Sequence, residues 1–206
     1  MKRTKEMRWF FKRDREQIKN WFSSLAFVST ETRTDFYLKL ENEDIGVKLR
    51  DGNIEIKQRI GPRGSDYINS NIWGYCDSFD KWSFDCKEKN PLLSKIVGHE
   101  YEEWIAVEKQ RKVALLTKED GEIIARPLEE EVSFGCEIEY AEIFIEREKW
   151  FTFALEWFGT EFLKLDSESI ADIVGDTKLN IRLSRSYPNF LMNYNLGQRN
   201  KLLPLA

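Results

Sequence analysis

Lysine and arginine recur at every second position in three stretches of the sequence. The pairs are Lys48 and Arg50, Lys57 and Arg59, and Lys109 and Arg111. In a β-strand, residues i and i+2 point to the same face. A planar guanidinium binds phosphate through parallel hydrogen bonds, and a lysine ammonium acts as a point charge. These pairs therefore predict cationic strand faces that suit a phosphate-rich anion.

A fourth stretch carries carboxylates with the same spacing, Glu137 and Glu139. Carboxylate oxygens are hard ligands that suit Mg²⁺ or Mn²⁺. Each charged pair taken alone is typical of a solvated strand face. If the sheet closes on itself, however, the four pairs meet in one cavity. A polyanion would then neutralise the lysines and arginines, and a divalent cation would bridge it to the glutamates.

The elements that must position these residues follow from hydrophobic periodicity and turn chemistry. Strands are predicted at 6–11, 35–40, 45–50, 54–59, 104–116, 122–125, 132–145 and 150–158. Asp51-Gly52-Asn53 predicts a tight hairpin turn, and the Gly- and Asn-rich stretch 61–80 predicts a long loop. Helices are predicted at 14–25 behind an Asp14 N-cap, from Pro91 to Val97, and after Asp166 or Ser167. Strands joined by short turns favour an α+β fold with an antiparallel sheet or barrel, and the aromatic tail around Tyr187 and Phe190 should dock on it.

Composition limits the function further. The 206 residues fit one domain spanning 1–206, and the net charge of −4 argues against binding of a nucleic-acid polymer. No apolar run is long enough for a membrane span, and no apolar segment follows the basic N-terminus, so we expect a cytoplasmic protein. The three cysteines fit no zinc pattern. His99 is the single histidine, and lone histidines are usually structural.

Several short strings together resemble one family. They are Arg33-Thr34-Asp35-Phe36-Tyr37-Leu38, Gly46-Val47-Lys48-Leu49-Arg50, Glu55-Ile56-Lys57, Lys109-Gln110-Arg111, Glu137-Ile138-Glu139 and Trp150-Phe151-Thr152-Phe153-Ala154-Leu155-Glu156. Their order resembles that of the CYTH-like superfamily, also called triphosphate tunnel proteins. The resemblance implies a closed or nearly closed antiparallel β-barrel of eight strands over about residues 6–158, with helices packed outside and a tail at 159–206. It also implies that lysines and arginines bind triphosphate groups, that glutamates hold Mg²⁺ or Mn²⁺, and that many members hydrolyse the terminal phosphate.

The resemblance assigns roles by position. The three basic pairs match phosphate contacts, and Glu137 and Glu139 match the late metal-binding pair. The family's first strand reads Glu-x-Glu-x-Lys, whereas this chain reads Glu6-Met7-Arg8-Trp9-Phe10. Glu6 is thus a third metal candidate. Arg8 stands where a second carboxylate belongs, so it joins the phosphate-binding candidates and removes a hard oxygen ligand.

Three functions follow from these observations. The first is binding of a small phosphate-rich anion (a nucleotide, triphosphate or polyphosphate) without efficient turnover. The second is a divalent-metal-dependent triphosphatase or phosphohydrolase. The third is a structural or protein-interaction domain whose barrel charges pair with one another. Intact basic pairs beside an altered first-strand motif favour the first.

Overall fold

A computed structural model describes residues 1–86, 91–98 and 100–202; His99 lies outside them. The strands are β1 Lys2–Phe11, β2 Ser29–Leu38, β3 Ile45–Arg50, β4 Asn53–Arg59, β5 Gly64–Asn69, β6 Ile72–Asp85, β7 Trp104–Glu119, β8 Glu122–Arg126, β9 Phe134–Ile145 and β10 Glu148–Gly159. The helices are α1 Glu16–Ser24, α2 Pro91–Val97, α3 Ser167–Val174 and α4 Tyr187–Leu202. In the described residues, no helix is both long and apolar enough to cross a membrane.

Eight of the strands form a closed antiparallel barrel. Their order is β1-β10-β9-β7-β2-β3-β4-β6, and β6 pairs again with β1, which closes the ring. The two remaining strands extend outward, β5 from β6 and β8 from β7. The predicted α+β fold with an antiparallel barrel is therefore confirmed.

The hairpin between β3 and β4 is confirmed at the predicted turn. Arg50 pairs with Asn53, and the two residues between them have positive φ angles, 48° at Asp51 and 77° at Gly52. Glycine adopts such angles at little cost. The register places Lys48 opposite Glu55 and Gly46 opposite Lys57. Charged residues of both strands therefore share one face.

The prediction of a long loop at 61–80 was wrong, because β5 and most of β6 occupy this stretch. The glycines of this stretch had been interpreted as turn residues, and for Gly74 this interpretation was wrong. Gly74 lies within β6, where an added Cβ would come 2.6 Å from Cζ2 of the buried Trp9. Glycine here allows close packing and does not mark a turn.

The predicted N-cap of the first helix was also wrong. The helix begins at Glu16, and the cap position, Arg15, makes no side-chain cap hydrogen bond. Asp14 instead accepts hydrogen bonds from the Tyr140 hydroxyl and from Lys19 Nζ. The Asp14 carboxylate, which the local sequence assigned to the helix N-terminus, is thus occupied by a tertiary contact with Tyr140. The cap of α3 is as predicted, since Asp166 accepts from the Ser169 N–H.

The barrel interior changes character along its axis. Residues at one end are charged, whereas the other end is filled by Phe10, Val107, Ile143 and their neighbours. Helix α4 packs into this apolar end through Tyr187, Phe190, Leu191 and Tyr194, and Phe10 stacks on Phe190 with ring centroids 3.9 Å apart. The aromatic tail thus docks on the barrel and contributes to its core. Helices α1 and α3 cover the outer wall, where the largest apolar cluster lies.

Candidate functional site

The charged end of the barrel contains a cavity of about 630 Å³. In the described part of the chain, nine cationic side chains and five carboxylates line it. The cations are Lys2, Arg8, Arg33, Lys48, Arg50, Lys57, Lys81, Lys109 and Arg111, and the carboxylates are Glu6, Glu55, Glu137, Glu139 and Glu156. The buried Asp35 and the partly exposed Glu31 also pair with lining cations, and even with them an excess of positive charge remains. A chain with net charge −4 thus concentrates positive charge in its cavity.

The structure brings together nearly all of the residues predicted from sequence. Six of the seven cationic candidates line the cavity, and so do the three predicted metal-binding glutamates. Alternation explains the arrangement, because residues two apart on each strand point inward together. On β1 these are Glu6 and Arg8; on β9 they are Glu137 and Glu139.

Arg59 is the candidate that lies outside the lining. Its guanidinium bonds Asp44 and lies 3.1 Å from a Glu43 oxygen and 3.5 Å from Asp77. The alternation of β4 is intact, but the guanidinium of Arg59 is held by this separate acidic cluster. The structure thus separates Arg59 from its partner Lys57.

Among the described residues, five charged lining residues were not among the predicted site residues: Lys2, Arg33, Glu55, Lys81 and Glu156. Glu55 could have been predicted from the sequence, because it lies two positions before Lys57 and shares its strand face. Lys81 follows directly after the stretch read as a loop, and Glu156 is a single charge in an aromatic strand. Strand pairing accounts for Glu156, because Glu6, Glu156 and Glu137 are register neighbours across β1, β10 and β9. Glu156 also accepts from Lys81 Nζ at 2.6 Å.

Arg8 is held between two carboxylates on the cavity wall. Its Nε donates to Glu6 Oε1 at 3.0 Å, and its Nη1 donates to Glu139 Oε1 at 2.5 Å. The same Nη1 lies 3.1 Å from Thr152 Oγ1. Burial opposes ionisation of Glu6, but Lys57 and Arg8 outweigh it and lower the pKa of Glu6. The guanidinium is thus fixed by charge-assisted bonds on two sides.

Arg111 occupies the neighbouring position. Its Nε donates to the second oxygen of Glu139 at 2.6 Å, and its terminal nitrogens reach Glu31 at 2.8 Å and Glu137 at 3.2 Å. Burial would raise the pKa of Glu139, but Arg111 and Arg8 reverse this effect and lower it strongly. The pKa of Glu137 is raised instead, by burial and by its neighbour Glu156. The two predicted metal-site glutamates therefore have different electrostatic environments.

Lys109 is the most deeply desolvated cation of the group. Only 4% of the residue is exposed, and its Nζ lies 2.5 Å from Asp35 Oδ2 and 2.8 Å from the Tyr37 hydroxyl. Burial lowers the pKa of Lys109 to about 7, although Asp35 opposes the shift. Its charge at neutral pH is therefore sensitive to anything that enters the cavity.

The predicted metal set does not fit a preformed Mg²⁺ or Mn²⁺ site. Both oxygens of Glu139 and one oxygen of Glu6 already accept from guanidinium nitrogens, and the second Glu6 oxygen lies 3.2 Å from Lys57 Nζ. Across the described residues, no group of three or more His, Cys, Asp or Glu side chains is arranged to hold a metal ion. Divalent ions need several free oxygen ligands at short distance.

Comparisons with known proteins found similar solved structures but no similar sequence family. No family model and no curated protein sequence matches the chain. Among solved structures, it is similar to an adenylyl cyclase candidate from Hippeastrum described as having a dominant triphosphatase activity, at 12% identity and a TM-score of 0.43 over 99% of this chain and 98% of the other. It is also similar to a conserved hypothetical protein from Pyrococcus furiosus (13% identity, TM-score 0.38, covering 89% and 98% of the two chains). A third similar structure is an adenylate cyclase candidate from Bacillus halodurans (8% identity, TM-score 0.42, covering 87% and 94%). With identities of 13% or less and TM-scores below 0.5, these similarities support no conclusion about residue roles or function.

Proposed function

We propose that the cavity binds a small phosphate-rich anion, of the class of nucleotides, triphosphates and polyphosphates, without efficient turnover. The observation that carries this proposal is the excess of lysine and arginine in a concave site where they converge from opposite walls. Such a site costs electrostatic free energy while it is empty, because like charges are held close together in partly desolvated surroundings. A bound polyanion would offset that cost.

Internal pairing does not remove the need for a ligand. Internal ion pairs satisfy part of the charge, and Arg111 alone reaches three carboxylates, but other carboxylates are shared between two cations. Glu6 accepts from Arg8 and Lys57, and Asp35 lies close to Lys109 and Lys48. The cations that share a carboxylate can each turn a donor toward an anion, because lysine has three donors and arginine five.

The cavity is also the right size and shape. Ligand sites commonly enclose about 300–1,000 Å³, and this cavity encloses about 630 Å³. Its inner end is closed by Tyr187 and the apolar residues beneath it. A linear triphosphate could therefore enter from the open end and meet cations on several walls.

Tripolyphosphate is the probe that tests the proposal. Ligand at about 100 times Kd should stabilise the native state by about 2.7 kcal/mol, which corresponds to a rise in Tm of about 5–10 °C for a chain of this size. Calorimetry gives Kd, and a phosphate-release assay with and without Mg²⁺ gives turnover. Absence of both a Tm shift and binding heat would refute the proposal, and brisk metal-dependent phosphate release would replace the binder with a phosphohydrolase.

A single lysine tests the location of the site. Lys57 Nζ lies 3.2 Å from Glu6 and 4.4 Å from the centre of the Phe79 ring. Lys57→Met keeps an unbranched side chain at this position but removes the ammonium, with its contacts to Glu6 and Phe79, so tripolyphosphate should bind about tenfold or more weakly. Lys118→Met, an exposed change on β7 outside the cavity, is the control. Equal affinity of the Lys57 variant and the wild type would exclude Lys57 from the site.

A further inference from the structure

Arg8 holds the position between two carboxylates that a divalent cation would need. Its nitrogens lie 3.0 Å from Glu6 Oε1 and 2.5 Å from Glu139 Oε1, and both glutamates line the cavity. The side chain of Arg8 is only 8% exposed, and those of Glu6 and Glu139 are 3% and 8% exposed. One tethered guanidinium thus bridges two buried carboxylates from β1 and β9.

A metal ion could replace this bridge only at a high cost. It would have to take oxygens that already accept charge-assisted hydrogen bonds, and Arg8 would lose both of its partners. A buried charge without a partner is strongly destabilising. The displaced guanidinium would also remain attached to β1, close to the incoming dication, so like-charge repulsion would add to the cost.

One nitrogen of the Arg8 guanidinium, Nη2, is not used in the contacts with the two carboxylates. Its Nε and Nη1 bind Glu6, Glu139 and Thr152, whereas Nη2 donates to no side chain in the described part of the chain. The guanidinium carbon, Cζ, lies over the Tyr187 ring at 4.7 Å from its centre, so a cation–π contact adds to its support. Arg8 is therefore held by Nε and Nη1, it lines the cavity, and Nη2 is the nitrogen left without a side-chain acceptor among the described residues.

We propose that Arg8 takes the place of a divalent cation in this cavity, linking Glu6 and Glu139 to a phosphoryl oxygen of the ligand through Nη2. This inference rests on the proposed anion binding and makes that binding independent of metal. A guanidinium carries one positive charge and five directed donors, so it can bridge carboxylates and phosphate with fixed geometry. It cannot activate a water as a metal ion does, in keeping with binding without efficient turnover.

The first experiment uses the wild-type protein. Calorimetry with tripolyphosphate in excess EDTA should show full binding, and Mn²⁺ alone should give no loss of the free-ion electron paramagnetic resonance signal. Binding that appears only when Mg²⁺ or Mn²⁺ is added would overturn the inference and leave the proposed function standing. Absence of tripolyphosphate binding with and without metal would instead refute the proposed function itself.

Variants at Arg8 separate a ligand contact from a structural role. Arg8→Gln should weaken tripolyphosphate binding in EDTA by about tenfold or more, since a charge-assisted contact is lost. Arg8→Lys keeps the charge and should recover part of the affinity. Arg8→Glu should bind Mn²⁺ where the wild type does not, because a third carboxylate joins Glu6 and Glu139.

The control is Arg13→Gln, an exposed change just beyond the same strand, which should leave affinity unchanged. Arg8→Glu crowds buried carboxylates, and if it fails to fold, the Gln and Lys variants still decide the question. Unchanged tripolyphosphate affinity in a folded Arg8→Gln protein would overturn the inference. So would binding of Mn²⁺ by the wild type at the same affinity as by Arg8→Glu.

Discussion

Ligand binding should be coupled to protonation of Lys109. This lysine lies in a cluster of charged and titratable groups contributed by four elements: Asp35 and Tyr37 on β2, Lys48 on β3, Glu139 on β9 and Tyr187 on α4. Burial and Lys48 favour the neutral amine, whereas Asp35 and Glu139 favour the ammonium. A polyanion in the cavity adds negative charge on the side of the ammonium, so it should raise the pKa of Lys109 toward the ordinary value.

The magnitude follows from the starting pKa of about 7. At pH 8 about one tenth of the free protein carries a protonated Lys109. If the bound anion restores the ordinary lysine pKa, the bound state is almost fully protonated, so binding should take up about 0.9 proton. Uptake should fall to about 0.5 proton at pH 7 and become small below about pH 6. The contribution of Lys109 therefore has a fixed sign: it is constant below about pH 6 and weakens the affinity by almost tenfold per pH unit above about pH 8.

Calorimetry measures the uptake directly. Tripolyphosphate is titrated at pH 8 into the protein in two buffers with different ionisation enthalpies, and the difference in observed heat gives the number of protons. The same titration with Lys109→Met subtracts protons taken up by the ligand itself and by other lysines. If the wild type and this variant take up the same number of protons at pH 8, the reasoning about Lys109 is refuted.

Two further predictions concern packing around the site. The Tyr187 ring lies 4.7 Å from the Arg8 guanidinium, and its buried hydroxyl has no hydrogen-bond partner among the described residues. Tyr187→Leu should therefore weaken tripolyphosphate binding by about threefold to thirtyfold, whereas Tyr187→Phe should retain the wild-type Kd. Equal losses of affinity in the two variants would contradict a role for the aromatic face. Gly74→Ala should lower the free energy of unfolding by about 1–3 kcal/mol, because the new methyl would meet the buried Trp9. Gly197→Ala lies in helix α4, where the added carbon meets no atom of the described residues within 4 Å beyond its own helix backbone and chain neighbours, so it should be neutral or stabilising in the same denaturant titrations. Equal effects of the two changes would argue against the close packing at Gly74.

Local periodicity made much of this protein predictable from its sequence. The alternation at Lys48 and Arg50, and again at Lys57, shows which residues share a strand face without any knowledge of the partner strands, because the side-chain period of a strand is a local property of its backbone. The turn at Gly52 is equally local, since it depends on a positive φ that few residues adopt. The same reasoning placed a helix behind Asp166.

Tertiary structure decided how those local pieces meet. Registers across β1, β10 and β9 brought Glu156 beside Glu6 and Glu137, although no short-range pattern singles out Glu156. Arg59 has the same alternation as Lys57, but a separate cluster with Asp77 holds it away from the cavity. The role of Arg8 depended on where Glu139, 131 positions away, would lie. Strand alternation is fixed by adjacent residues, whereas closure of the barrel and the choice of ion-pair partners depend on contacts between distant segments, which the sequence pattern of one segment does not contain.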